Sequence, residues 1–221
     1  FSKSNHGFEA NQSFRLYCSG YANDCLRKKG HCSFNYKLGM MNALKEWATV
    51  VNALENGDQT VLLRKGGILE DSSGFVVESE RFFLFPTFEH QEKKHLKPQF
   101  YKHLEDALAS KPKDGFNNIT SFAHVLYQKD IDSEDKINAL SQFHILSDSY
   151  VKERIDWLPE KSMKALFLRT YKVPEFEIPI KSEYHGCKSW IELNEKDRDA
   201  KSVLSDEEIE SKVKEFKEIV N

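Results

Sequence analysis

The sequence is poor in the residues that staple a chain or carry it through a membrane. It has four cysteines in 221 residues; Cys18, Cys25 and Cys32 fall in the first forty, and only Cys187 lies beyond. One thiol in the main body excludes a disulfide framework there and fits a reducing compartment, so a cytoplasmic location is expected. No run approaches the roughly 18 consecutive apolar residues of a spanning helix, so no membrane partner is expected. Residues 1–40 lack any helical or strand period, and they lack the basic start and apolar stretch of a secretory signal. Of three methionines, the first two are Met40 and Met41, where patterned sequence begins. Residues 1–40 therefore read as a leader outside the domain. Cys18, Cys25, Cys32 and His31 are soft ligands, but the cysteine spacing is wider than the short knuckle of a zinc site, and no metal is expected.

Charge is nearly balanced but unevenly spread. The chain carries 32 Lys/Arg and 35 Asp/Glu, a net of −3. Residues 1–40 hold Lys3, Arg15, Arg27, Lys28, Lys29 and Lys37 against Glu9 and Asp24, which leaves residues 41–221 acidic. Such a body cannot bind nucleic acid by diffuse electrostatics and would need a local basic groove. With 39% hydrophobic residues, including 16 Phe, there is enough apolar mass for one packed domain.

Asn42 predicts the cap of a helix bearing Leu44, Trp47, Ala48, Val51 and Leu54, stopped by Asn56-Gly57. Strands are expected over Gln59–Lys65, Phe75–Glu78 and Arg81–Phe85, the last closed by Pro86. A helix follows Pro98. Then come a strand over Ile119–Ile131, helices near Ser133–Ser141 and Ser147–Ile155, and a strand over Lys164–Val173 ended by Pro174. Glu175–Ile180 reads as an edge strand and Ser189–Leu193 as the last strand. Ser205 with Glu208 makes a capping box for an amphipathic helix carrying Ile209, Val213, Phe216 and Val220. The prediction is an α+β domain over residues 41–193, one mixed sheet with flanking helices, followed by a charged linker and C-terminal helix over 194–221. Two architectures share this order: the barrel-like PUA/ASCH type and the restriction-nuclease core.

Three stretches carry candidate chemistry. In Arg64-Lys65-Gly66-Gly67 a strand ends in two cations and two glycines, whose amides can converge on a phosphate; a strand end with a plain turn would look the same. Phe85-Pro86-Thr87-Phe88-Glu89-His90-Gln91 delivers Thr87, His90 and Gln91 together, with His90 a possible acid/base group. Tyr184-His185-Gly186-Cys187 pairs His185 with Cys187, although residues so close seldom aim at each other, and a buried inert thiol is the plainer reading. Arg154, near Asp156-Trp157, and Arg169, inside an apolar strand, are further candidates, since an inward charge needs a partner or a ligand.

The segments Ala43–Trp47, Leu54–Glu70, Phe82–Gln91, Arg169–Tyr171 and Tyr184–Trp190 together resemble a bacterial family of unknown function, numbered 1802, over about Met41–Leu193. That resemblance implies a bacterial cytoplasmic protein and carries no activity or catalytic residues. From the residues themselves, the first expectation is a phosphate-recognising nucleic-acid or nucleotide-binding module. Arg64, Lys65, Gly66, Gly67, Thr87, His90, Gln91 and Arg169 would line one cleft, without cofactor. The alternatives are a nuclease or other phosphodiester enzyme using Glu70 or Glu78 with His90, the only reading that calls for Mg²⁺, and an interaction protein that docks a partner through Ser205–Asn221.

Overall fold

The computed structural model describes residues 40–65, 74–186, 188–196 and 198–221. The expectations placed on residues 1–39 and on Gly66, Gly67, Glu70 and Cys187 lie outside the described residues.

In chain order the elements are β1 (Met40–Trp47), α1 (Ala48–Asn56), β2 (Val61–Arg64), β3 (Arg81–Thr87), α2 (Tyr101–Ala109), β4 (Phe116–Ile131), α3 (Glu134–Ala139), α4 (Asp148–Asp156), β5 (Met163–Pro179), β6 (Trp190–Lys196), β7 (Lys201–Ser202) and α5 (Asp206–Val220). The fold is α+β, with one mixed sheet in the order β2-β5-β4-β3-β1-β6 and β7 added on β5. Only β1 and β3 run parallel; every other pairing is antiparallel.

Sequence and structure part first at β1. The helix expected from Asn42 begins at Ala48, and Met40–Trp47 is a strand between β3 and β6. Ala43 and Leu44 are both fully buried but enter different core clusters, as neighbouring residues of a doubly covered strand must. Leu44, Trp47 and Ala48 satisfy a helical stripe equally well, so period alone misassigned them. Gly57 ends α1 in the left-handed conformation, and a Cβ there would lie 2.8 Å from Leu204 Cδ2.

Two prolines were expected to end strands and do not. β3 runs through Pro86 to Thr87, because β4 pairs with β3 only over Arg81–Phe83 and no β4 carbonyl awaits the missing N–H. β5 runs through Pro174 to Pro179, because the ladder with β4 shifts register between Ser121↔Lys172 and Ile119↔Phe176, and the bulge takes up the proline. The strand expected at Glu175–Ile180 is thus the far end of β5. Phe75–Glu78 forms no strand; Phe75 instead plugs the core beneath Trp190.

Side chains alternate between the two faces of the sheet. Leu62, Leu166 and Leu168 join Leu44, Leu84, α1 and α2 on one side. Val61, Ala165 and Phe167 face the other way, onto α3, α4 and α5. A third cluster fills the far end of the long β4–β5 hairpin with Phe83, Phe122, Ile191 and Tyr184.

The capping box of α5 forms as read, with Ser205 and Glu208 bonded reciprocally. Its apolar face is occupied from within: Phe216 is fully buried and meets Phe143 and Phe167 edge-on. The reading in which Ser205–Asn221 offers that face to a partner therefore does not hold. Truncating Phe216 to alanine should cost about 3–5 kcal/mol, measured as a shift of the urea midpoint of the full chain.

His144 supplies a second prediction. It is 2% exposed, and among the described residues neither ring nitrogen has a partner of good hydrogen-bond geometry, the Leu146 backbone being the polar group beside it. Burial, with the Lys97 ammonium nearby, drives its pKa down to about 3. In the unfolded chain histidine titrates near ~6.5, so the unfolded state binds the extra proton as pH falls from there toward 3. His144 therefore contributes stability above ~6.5 that is lost on acidification. Going from pH 7 to 5 should remove about 2 kcal/mol through this residue. Urea unfolding at both pH values should show that loss reduced by the same amount in His144→Leu.

Candidate anion-binding cleft

The ends of β1, β2 and β3, one face of α4 and the turns at 88–90, 111–115 and 184–189 surround a cleft of about 710 Å³. Its lining is basic. Lys45, Arg64, Lys65, Lys111, Lys113, Arg154 and Lys188 stand against Glu46, Glu89 and Asp114, in a chain whose net charge is −3. Trp47, Phe88, Tyr150 and Trp157 supply aromatic surface.

Several of these cations are already committed to protein groups. Arg64 donates from Nη1 to Glu46 Oε2 at 3.0 Å and from Nη2 to Ser189 Oγ at 3.0 Å, with its guanidinium over the Phe75 ring. Lys45 Nζ donates to the carbonyls of Tyr184 and Gly186 and so holds that turn. Lys65 is 3% exposed and donates to the Ile155 carbonyl in the last turn of α4, where a cation complements the helix C-terminus. Burial, reinforced by the Arg154 guanidinium, lowers its pKa below the ordinary lysine value.

Arg154 is different. Among the described residues it makes no hydrogen bond and no ion pair; its guanidinium lies 4.7 Å from the Trp157 ring centroid. Burial is the main cause pulling its pKa down, and Arg64 adds to it. One turn earlier, Tyr150 packs its ring against Trp47 and His95, while its hydroxyl has no hydrogen-bond partner among the described residues. Burial raises the phenol pKa, so the group stays an O–H donor at neutral pH. Tyr150 and Arg154 are four residues apart and share a helix face. That face presents two donors with no acceptor of their own.

Backbone strain gathers at the same place. His90 (φ 61°) and Leu158 (φ 52°) are the non-glycine residues in the left-handed region among the described residues. His90 lines the cleft, and Leu158 follows Trp157. Such conformations cost of order 1–3 kcal/mol and gather at functional sites.

A family model described as "Domain of unknown function (DUF1802)" matches residues 43–215. The chain belongs to the DUF1802 family. The matched stretch runs past Leu193, where the resemblance was expected to stop, into α5. No curated protein matches the chain. Among solved structures it is similar to ASCH from Zymomonas mobilis, at 13% identity and a TM-score of 0.40, covering 79% of this chain and 94% of that one. Two mutant forms of the same protein give 14% and 15% identity at a TM-score of 0.36, covering 79% and 80% of this chain and 95% and 98% of theirs.

Of the candidates read from sequence, this DUF1802 domain brings Arg64, Lys65, Thr87, His90, Arg154 and His185 to one cleft. Thr87 is partly occupied, donating to the Glu46 carbonyl. Three candidates lie elsewhere. Gln91 turns its Oε1 onto the Thr49 amide and hydroxyl, at 3.1 and 2.6 Å, and thereby caps α1, whose own N-cap residue Trp47 offers no side-chain acceptor. Arg169 points at Ser202 Oγ and Asp206 Oδ1, joining β5 to β7 and the start of α5. Glu78 is exposed and outside the cleft. Sequence reasoning missed Glu46, Tyr150 and Lys188. The signal for Tyr150 was present as the spacing Tyr150, Arg154, Trp157 on α4; Glu46 was hidden by the misread helix.

These assignments predict opposite stability effects. Gln91→Ala should cost about 1 kcal/mol through loss of the cap. Arg154→Ala should stay within about 0.5 kcal/mol of the parent. Chemical unfolding of the two variants side by side checks both.

Proposed function

We propose that the DUF1802 cleft binds a phosphate-bearing ligand, a nucleotide or an unpaired stretch of nucleic acid. The observation that carries this reading is the unpartnered pair of donors, Arg154 and Tyr150, in a basic cleft on an otherwise acidic domain. Such a concentration of one sign focuses field and draws anions to that point. Half-buried aromatic rings beside the cations suit stacked bases, which are accessible in nucleotides and single strands. The cleft's size lies within the ~300–1,000 Å³ range of small-molecule sites. A cytoplasmic, bacterial setting accords with this ligand, and among the described residues no helix is long and apolar enough to cross a membrane.

The nuclease alternative finds little to build on among the described residues. No group of three His, Cys, Asp or Glu side chains is placed to hold a metal ion, and Glu46, the acid on the cleft floor, is bonded to Arg64.

Fluorescence anisotropy of the full chain with labelled single- and double-stranded DNA and RNA, over a salt series with and without EDTA, tests the proposal. Single strands should bind, insensitive to EDTA. The log–log salt slope should lie between about −1.4 and −2.1 if two or three phosphates are contacted. Arg154→Ala should weaken binding about tenfold or more. A folded chain that binds neither strands nor nucleotides would overturn it.

A further inference from the structure

We infer that the floor of the cleft selects a terminal phosphate monoester, the end group of a nucleotide or of a strand, over an internal phosphodiester. The inference rests on the nucleotide-binding reading above and concerns which phosphate that site prefers.

Arg64, Lys65 and Arg154 come from two elements and converge on one floor. All three line the same cleft, and their closeness shows in the way Arg64 disfavours the charge of Arg154, and Arg154 that of Lys65. One carboxylate bonds to the trio, Glu46 on Arg64. Lys65 faces a carbonyl rather than an acid, and the helix end it meets offsets only about half a charge. Asp156 and Glu160 also attract Lys65, but both are exposed, and Asp156 is paired with Lys152 at 2.8 Å. Among the described residues the floor therefore holds one to two positive charges with no matching protein anion.

An internal phosphodiester brings one negative charge and two free oxygens. A terminal monoester brings about −1.5 to −2 at pH 7 and three acceptor oxygens. The free donors match the second count. The guanidinium fork of Arg154 takes two oxygens in parallel, and the Tyr150 hydroxyl, on the same helix face, is a donor for the third. Stacking on Trp157 keeps the fork oriented without consuming its N–H groups.

The test uses the full chain and pairs of identical short single-stranded oligonucleotides, with and without a terminal phosphate at either the 5′ or the 3′ end, beside nucleoside monophosphates and their parent nucleosides. The phosphorylated member of one pair should bind about tenfold or more tightly than its hydroxyl twin. Arg154→Gln and Tyr150→Phe should each shrink that ratio to about threefold or less, because each weakens the phosphorylated member more than its hydroxyl twin. Unchanged thermal unfolding of both variants confirms that they fold. Arg154→Lys, which keeps the charge and loses the fork, should recover only part of the ratio. A monophosphate that binds as well as the phosphorylated strand identifies a free nucleotide as the ligand; preference for the strand identifies a strand end. Equal binding of both members of every pair would overturn the monoester inference and leave the nucleic-acid reading standing. No binding by any probe would overturn both.

Discussion

The ion pair between Arg64 and Glu46 is the contact on which the cleft depends. β2 and β1 are separated by β5, β4 and β3 in the sheet, yet the Arg64 guanidinium and the Glu46 carboxylate meet at 3.0 Å with both side chains largely shielded. The sheet must curl to allow this, and among the described residues no ladder joins β2 to β1 or β6. The pair spans the open side in place of strand pairing, assisted by Arg64 on Ser189 and by Phe75 packed against Trp190. A barrel-like arrangement that is never closed leaves a mouth, and the cleft lies there. Removing either partner would leave a shielded, unpaired charge, which costs about 3–5 kcal/mol. The two groups are thus committed to holding the mouth in shape and are poor choices as the primary ligand contacts.

That commitment shifts attention to α4. Its start is fixed by Ser147, whose side chain accepts from the Tyr150 amide, and its end by Lys65 on the Ile155 carbonyl. Val151 anchors one side in the core. The face bearing Tyr150 and Arg154 looks into the cleft with its donors unused. The helix is therefore held at both ends by groups of the fold itself, Ser147 also donating to the Lys94 carbonyl at 2.9 Å, and a helix so fixed presents its side chains in a set orientation.

What could be read in the sequence, and what could not, divides along the range of the interaction. The Ser205/Glu208 box acts within one turn and caps α5 as expected, and the short helices expected near Ser133–Ser141 and Ser147–Ile155 form with Ser133 and Ser147 as their caps. The long amphipathic pattern of α5 was equally plain. β1 was lost because Leu44, Trp47 and Ala48 fit a helical stripe although Ala43 and Leu44 are buried on opposite faces of a strand, and Pro86 and Pro174 misled because a proline's effect depends on whether a neighbouring strand needs its N–H. The candidate site was half legible. Strand-end cations and the Pro86–His90 turn do reach one cleft, but Gln91 and Arg169 found protein partners 42 and 37 residues away in sequence. Nothing local marks such partners.

Arg154 and Arg169 show why the distinction matters for function. Arg154 drew attention beside Asp156-Trp157 and Arg169 as a charge inside an apolar strand, and by composition alone neither is preferred. The accounting of donors separates them. Arg169 has an acceptor for Nε and another for its terminal nitrogen, and its guanidinium lies over Tyr171; its role is complete within the fold. Arg154 has an aromatic face and no acceptor. A half-shielded guanidinium with its N–H groups unmatched is an arrangement that folding alone does not reward. Burial and Arg64 disfavour its charge, Tyr150 and Glu46 favour it, and no hydrogen bond to either acceptor forms among the described residues. Both donors face the cleft, where water or a bound ligand is the acceptor left to them.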